Sequence, residues 1–374
     1  MMERIVIKRY GRGKSELAEG LQGVKDIEIC GFTDKDTKLW GSVEKGYPVF
    51  SIFQTADLYR ENKIDKVILT CEIDAPLMQR MVKEAVCLGI KKSDIWIAKP
   101  EFYVEPAKKN ICAYEDYKRL PYMEYHTADH CNLNCKGCVH FAPLVQGEKF
   151  ADYETVKRDL AQMKKIVPYI DKIHILGGEP FLNKELGRYI DVTREMYPFS
   201  DIGVATNGLL LMKMEPDVIE AFRRNHARIL VSSYPPILNR INEIAAYVKG
   251  LGIDISFSEP IYEFAYTFDK KGGHMGGARR INCSCPNLYE GRLAVCPPIA
   301  YMKYYNEYFG QNMDDQDGLI DIYDENLTYD KLLEELHKVR KACDQCLFLS
   351  EEDSISMDWS QSKQKDMGDY MWMG

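Results

Sequence analysis

The chain has 374 residues, more than one hydrophobic core usually organises, so two or three domains are expected. With 45% hydrophobic and 28% charged residues the composition is globular, and no apolar run approaches the roughly 18 to 20 residues of a membrane span. A formal charge of -8 without any basic cluster argues against nucleic-acid binding, which needs cations to replace phosphate counterions.

The opening residues Met1-Met2-Glu3-Arg4-Ile5-Val6-Ile7 read as a strand and lack a secretory signal, so a cytoplasmic protein is expected. The first strand, Glu3 to Lys8, leads through Gly11-Arg-Gly13 to a helical pattern around Leu17 and Leu21, then to a second strand at Ile27 to Phe32. A helix near Gln54 to Asn62, a strand at Lys66 to Thr70, a helix at Pro76 to Leu88 and a strand at Asp94 to Ala98 continue the alternation. Such alternation predicts a parallel, helix-covered sheet. Lys99 to Leu120, with two prolines and many charges, reads as a linker.

A second series follows. Strands are expected at Met123 to Ala128, Lys172 to Leu176, Ile202 to Thr206, Arg228 to Ser232 and Ile253 to Phe257. Helices are expected at Tyr153 to Ile166, Lys184 to Met196, Pro216 to Asn225 and Leu238 to Lys249. Five or six such β-α units suggest a partial barrel, whose site lies at the carboxyl ends of the strands. Beyond Glu259 about a hundred residues are Gly-rich and Cys-containing, too many for a plain loop.

Twelve cysteines without an export signal read as metal ligands rather than disulfides. Cys131, Cys135 and Cys138 form a tight CxxxCxxC loop directly after the first strand of the second series. Three thiolates can hold three irons of a cubane and leave the fourth open to a chelating ligand. The alternative is zinc held by the same cysteines with His130 or His140 as a fourth ligand.

Gly177-Gly178-Glu179-Pro180 follows the second strand of this series and Ala205-Thr206-Asn207-Gly208 the third. Together with the cysteine loop, their order resembles the radical SAM superfamily, in which a [4Fe-4S] cluster binds and reductively cleaves S-adenosylmethionine (SAM) to a 5'-deoxyadenosyl radical. The resemblance implies a partial (β/α)6 TIM-type barrel and makes the Gly178 and Glu179 carbonyls partners of the SAM amine. Gly177 and Pro180 shape that turn, Asn207 belongs to the same cofactor site, and Ser232 and Ser233 match the ribose contact. Gly137 stands where the family commonly has an aromatic residue, so Val139, His140 or Phe141 is expected to pack on the adenine.

Cys285-Pro-Asn-Leu-Tyr-Glu-Gly291-Arg-Leu-Ala-Val-Cys296, followed by Cys343-Asp-Gln-Cys346, resembles the twitch domain, a shortened relative of SPASM. The resemblance implies an auxiliary [4Fe-4S] cluster on Cys285, Cys296, Cys343 and Cys346; structural zinc on these residues is the alternative. Cys283 is then left over, as an alternative ligand, an idle thiol or a hydrogen donor to a substrate radical. Glu259 is a candidate for orienting a hydroxyl or taking its proton, and the loop Lys270 to Arg280 for a lid or phosphate contact.

Residues 1 to 105 resemble small Rossmann-like domains beside sugar-modifying enzymes, although Glu16 replaces the third glycine of G-x-G-x-x-G; Asp34 supplies the expected acid. The expected α/β organisation is thus a Rossmann-like domain over 1–105, a radical SAM partial barrel over 106–260 and a twitch-like Fe-S domain over 261–374. The expected activity is hydrogen abstraction from a small polar substrate, a sugar or nucleotide sugar, in dehydrogenation or epimerisation, with electrons from flavodoxin or ferredoxin. A maturase of a ribosomally made peptide and a zinc-stabilised, non-catalytic scaffold are the alternatives.

Overall fold

The computed structural model describes residues 2–8, 14–272, 285–347 and 355–373. They form two compact units, Met1–Pro121 and Tyr122–Gly374.

The first unit is built on β1 (Glu3–Lys8), β2 (Ile27–Thr33), β3 (Val43–Glu44), β4 (Tyr47–Phe50), β5 (Lys66–Thr70), β6 (Ile95–Ala98) and β7 (Ile111–Ala113), in the order β3-β4-β2-β1-β5-β6-β7. Its central pairs are parallel. Ile5, Val6 and Ile7 of β1 are all fully buried, the continuous apolar run of a strand covered on both faces. Helices α1 (Lys14–Gln22), α2 (Ile52–Arg60) and α3 (Ala75–Cys87) fill the crossovers. Ser51 and Gln54 close a capping box on α2, and Asp74 accepts from Leu77 N at the start of α3.

Residues 99–120, expected as a linker, are part of this unit. β7 pairs antiparallel with β6, and Lys99 N donates to Asn110 O at 3.0 Å. Phe102 is buried against α1, where a side chain at Gly20 would meet its ring at 2.8 Å. One buried aromatic and a paired edge strand thus outweigh the prolines and charges of the segment.

In the second unit β8 (Arg119–Ala128, of which the last seven residues belong to this unit), β9 (Tyr169–Gly177), β10 (Asp201–Thr206), β11 (Arg228–Val231) and β12 (Asp254–Phe257) alternate with α4 (Tyr153–Ile166), α5 (Leu186–Met196), α6 (Pro216–Arg224) and α7 (Ile241–Gly250). The sheet runs β12-β11-β10-β9-β8 and continues through β15 (Asn287–Tyr289), β16 (Arg292–Ala294) and β17 (Leu319–Asp321). β9 to β12 pair in parallel, and β15 joins β8 in parallel. Ile173, Ile175, Ile202, Val204 and Ile229 are fully buried in these strands. Beyond β12 come β13 (Glu263–Ala265), β14 (Phe268–Asp269), α8 (Pro297–Phe309), α9 (Tyr329–His337), β18 (Ser356–Asp358) and β19 (Met371–Trp372). β18 pairs antiparallel with β13 and β19 parallel with β14, so the distal residues are stitched to those just after β12.

Glu124 of β8 is buried, accepting from the Tyr122 hydroxyl and from Asn287 Nδ2 of β15 at 2.8 Å. Burial pushes its carboxyl from the ordinary 4.5 up to about 7, so the folded state favours the neutral acid. The stability it lends is complete below 4.5 and is lost as pH rises toward about 7. The unfolding free energy of the wild type, minus that of Glu124→Gln, should therefore fall as pH rises through this window. Urea titrations on either side of the window check it, and a difference that grows would contradict the assignment.

Candidate active site

The loops after β8, β9, β10 and β11 surround one cavity of about 200 Å³. Cys131, Cys135 and Cys138 line it together with Gly177 and Gly178, Asn207 and Ser232. Successive parallel strands bring these residues together because their carboxyl ends share one edge of the sheet.

The glycine pair is required by backbone proximity. A Cβ on Gly177 would stand 2.1 Å from Ala128 O, and one on Gly178 2.3 Å from His130 O. Gly178 N donates to Ala128 O at 2.8 Å and Glu179 N to His130 O at 3.1 Å, so the turn after β9 is bonded to the chain entering the cysteine loop. Pro180 is buried at the start of the short turn that follows.

Glu179 is fully buried. Its Oε1 accepts from Thr206 Oγ1 at 2.7 Å and Phe181 N at 3.1 Å, and its Oε2 from Asn207 N at 2.9 Å. Burial pushes the carboxyl up to about 7, against the pull of these three donors. Asn207 in turn points Nδ2 at Asn132 Oδ1, 2.7 Å away, and at Cys131 Sγ, 3.7 Å away. Glu179 therefore sets the position of the asparagine that touches the cysteine loop.

Burial raises the pKa of all three loop thiols, that of Cys135 to about 12. A metal must displace their protons, so occupancy is coupled to pH. Among the described residues no three His, Cys, Asp or Glu side chains gather around a single ion position. Each imidazole weighed as a zinc ligand has its Nδ1 engaged: His140 Nδ1 bonds His126 Nε2 at 2.6 Å, and His130 Nδ1 accepts from Lys149 N at 3.0 Å. Three thiols with an asparagine between strand ends suit a cluster, whose cysteines each bind a different iron. A lone zinc needs all its sulfurs about 2.3 Å from one point.

The remaining expected residues divide. His140 lines the cavity and stacks on His126, whose ring lies 3.8 Å from that of Tyr301. Desolvation lowers both histidine pKa values, which keeps the imidazoles neutral. Phe141 is fully buried and packs on Phe268, Tyr305 and Tyr370 instead of lining the cavity. Ser233 is also fully buried, its Oγ donating to Ser258 O at 2.8 Å, which ties the end of β11 to that of β12. Glu259 is exposed and is not part of the cavity wall. Cys283 and residues 273–280 of the expected lid lie outside the described residues.

Of the distal cysteines, Cys285 and Cys296 flank the β15–β16 hairpin, whose register sets Asn287 against Ala294 and, continued outward, Cys285 against Cys296. Val295 N donates to Gly318 O at 3.1 Å, and the adjacent Asp317 carboxylate takes Arg340 Nη1 at 3.2 Å and Lys341 N at 2.9 Å. One loop thus ties the segment of Cys296 to the segment that carries Cys343 and Cys346.

Asn132, Tyr234, Phe264 and Trp359 escape a reading of the sequence. Tyr234 and Phe264 line the cavity, and Trp359 stacks on Tyr234 at 6.1 Å. Tyr234 directly follows the serine pair, a usable signal; Phe264 and Trp359 lie outside any motif.

Residues 125–245 match the model of the radical SAM superfamily. The second unit carries a radical SAM domain. A stretch of 106 residues is 29% identical to the GTP 3',8-cyclase of Clostridium acetobutylicum, covering 28% of this chain and 32% of that one. The GTP 3',8-cyclase of Thermodesulfovibrio yellowstonii is 31% identical over 112 residues, covering 28% of this chain and 33% of that one. The chain thus spans about a third of the length of these curated relatives. The solved structure of BtrN in complex with AdoMet and 2-DOIA aligns at 14% identity with a TM-score of 0.36, covering 58% of this chain and 87% of that one. The fold is the TIM-type α/β fold of radical SAM proteins, and the family implies SAM and a SAM-binding [4Fe-4S] cluster.

Replacing Glu179 by alanine strands three donors, each costing about 1–3 kcal/mol when buried without a partner. Glu179→Ala is expected to lose at least about 3 kcal/mol in urea unfolding of the iron-free protein. A loss below about 1 kcal/mol would show that the carboxylate does not join the strand ends.

Proposed function

We propose that the protein reductively cleaves SAM and abstracts a carbon-bound hydrogen from a small polar substrate, with Cys131, Cys135 and Cys138 as cluster ligands. One observation carries this reading: three thiols share a cavity with Gly177, Gly178, Asn207 and Ser232, delivered by successive parallel strands. When bound, the cluster and SAM supply one-electron cleavage and a hydrogen-abstracting radical, and a second cluster supplies an acceptor for the substrate's electron.

The chain's own residues would divide the remaining work. Gly178 offers its carbonyl to the SAM ammonium, and the Glu179 carbonyl, which already accepts from Leu182 N at 3.2 Å, keeps a lone pair for the same purpose. Asn207 holds the loop at Cys131. Ser232, on the cavity wall, is placed for the ribose hydroxyls, whereas the hydrogen bonds of Ser233 support it from behind. Tyr234 and Phe264 give the cavity an aromatic wall for the adenine, and keep water from the reacting atoms. Cys285, Cys296, Cys343 and Cys346 are proposed as the auxiliary ligands, supported by the hairpin register and the Asp317 loop.

The proposed substrate is a carbohydrate derivative undergoing dehydrogenation or epimerisation, with flavodoxin or ferredoxin as electron donor. Supporting it, the first unit has the strand order of a dinucleotide-type sheet, with Asp34 just past the end of β2. Exposed Glu259 belongs to this reading only as a residue of the substrate entrance.

Anaerobically purified protein is expected to hold about eight irons and matching sulfide, for two four-iron clusters. Cys131→Ala should lower this to about four and abolish 5'-deoxyadenosine formation from SAM and reductant, while Cys343→Ala should lower the iron similarly and retain SAM cleavage. Zinc without sulfide would overturn the enzyme reading. Screening sugars, nucleotide sugars and peptides for compounds that raise the 5'-deoxyadenosine yield tests the substrate class.

A further inference from the structure

The segment 355–373 returns across the cysteine loop. Ser362 N donates to Asn134 O at 2.6 Å, Lys136 N to Ser360 O at 3.0 Å and Gly137 N to Asp369 O at 2.7 Å. Lys136 Nζ pairs with Asp369 Oδ1 at 2.8 Å, and the same carboxylate accepts the Ser362 hydroxyl. Cys135 itself bridges to Gln361. Gly137 has φ +69°, and a Cβ there would meet Met357 Cε of this strap and Phe264 Cβ at 3.2 Å each. The space over the loop is thus filled by the strap and by the β13 strand to which it pairs.

Trp359 lies near the start of this strap, directly after β18. Its backbone N donates to Tyr262 O at 2.6 Å, and its ring lies nearly parallel to that of the cavity residue Tyr234, 18° apart. Its indole Nε1 is buried and, among the described residues, makes no well-formed hydrogen bond. Buried donors without partners are rare and call for an explanation. The indole stands beside the Cys135 side chain: Gln361, two residues on, bridges the Cys135 backbone, and Tyr234, on which the ring stacks, lines the same cavity as Cys135. A neutral thiol is a weak acceptor; a metal-bound thiolate or sulfide is a strong one.

We infer that Trp359 Nε1–H donates to sulfur at Cys135 once this cysteine holds its cluster, making the strap part of the cluster's hydrogen-bond environment. The inference rests on the reading of Cys131, Cys135 and Cys138 as cluster ligands. A donor at a cluster sulfur favours the reduced, more negative state and so raises the potential. Trp359 is on this account a positioning residue whose effect is read in the cluster's redox equilibrium.

The test is an EPR-monitored redox titration of the iron-loaded protein, comparing wild type with Trp359→Phe. A second variant carries 3-benzothienylalanine at position 359, which keeps the bicyclic shape and replaces N–H by sulfur. At the wild-type midpoint, both variants should show a reduced-to-oxidised ratio lower by about threefold to tenfold, tenfold being about 59 mV for one electron. Iron content should be unchanged in the benzothienyl variant. An unaltered ratio in that variant would overturn the inference while leaving the cluster assignment standing. Absence of any four-iron signal in the wild type would overturn the assignment and the inference with it.

Discussion

A buried carboxylate holds the site together. Glu179 has given up its hydration entirely, a loss of several kcal/mol for an unpaired ion, and recovers part of it through one hydroxyl and two backbone amides. Those donors belong to its own turn and to the end of β10. Through Asn207 the constraint reaches Asn132 and Cys131 in the loop after β8. Three strand ends that are independent in sequence are thereby fixed by one side chain. The glycines beside it leave no freedom either, because the carbonyls of Ala128 and His130 lie where their side chains would be.

Much of this was legible in the sequence, for identifiable reasons. The nine strands expected from apolar runs stand where those runs lie, since a parallel strand covered on both faces has to be apolar along its length, whereas the short strands β3, β4, β7 and β13 to β19 gave no such signal. The cysteine loop, the Gly-Gly-Glu-Pro turn and the Thr-Asn-Gly turn were visible because close backbone approach and a buried acceptor each demand particular residue types. Residues 99–120 misled, because prolines and charges describe a segment's surface, whereas Phe102 and the pairing of β7 decide where it docks. The buried role of Phe141 was hidden for a related reason: neighbours in sequence to a ligand need not face it. Phe141 turns at φ +51° into a cluster of aromatic rings from distant segments.

The hydrogen bonds of the serine pair show the same division of labour on a smaller scale. Adjacent residues at a strand end point to opposite sides, so Ser232 faces the cavity and Ser233 the core. From the cavity wall inward, the His140, His126 and Tyr301 rings form a stack in which desolvation disfavours charge on the imidazoles. Uncharged imidazoles near a cluster leave its net charge to the thiolates and the ligand, which is one of the quantities that set its potential.

The strap over the cysteine loop also has a bearing on how the protein is assembled. Asn134 and Ser362 are hydrogen-bonded although some 230 residues of chain separate them. Contacts of such sequence separation form late, after the intervening chain has been ordered. On the ribosome the cysteine loop emerges long before the segment that covers it, so for much of synthesis its thiols face solvent. If the loop holds the proposed cluster, that interval is when its cysteines are open to loading, and arrival of the strap afterwards turns an accessible loop into an enclosed one.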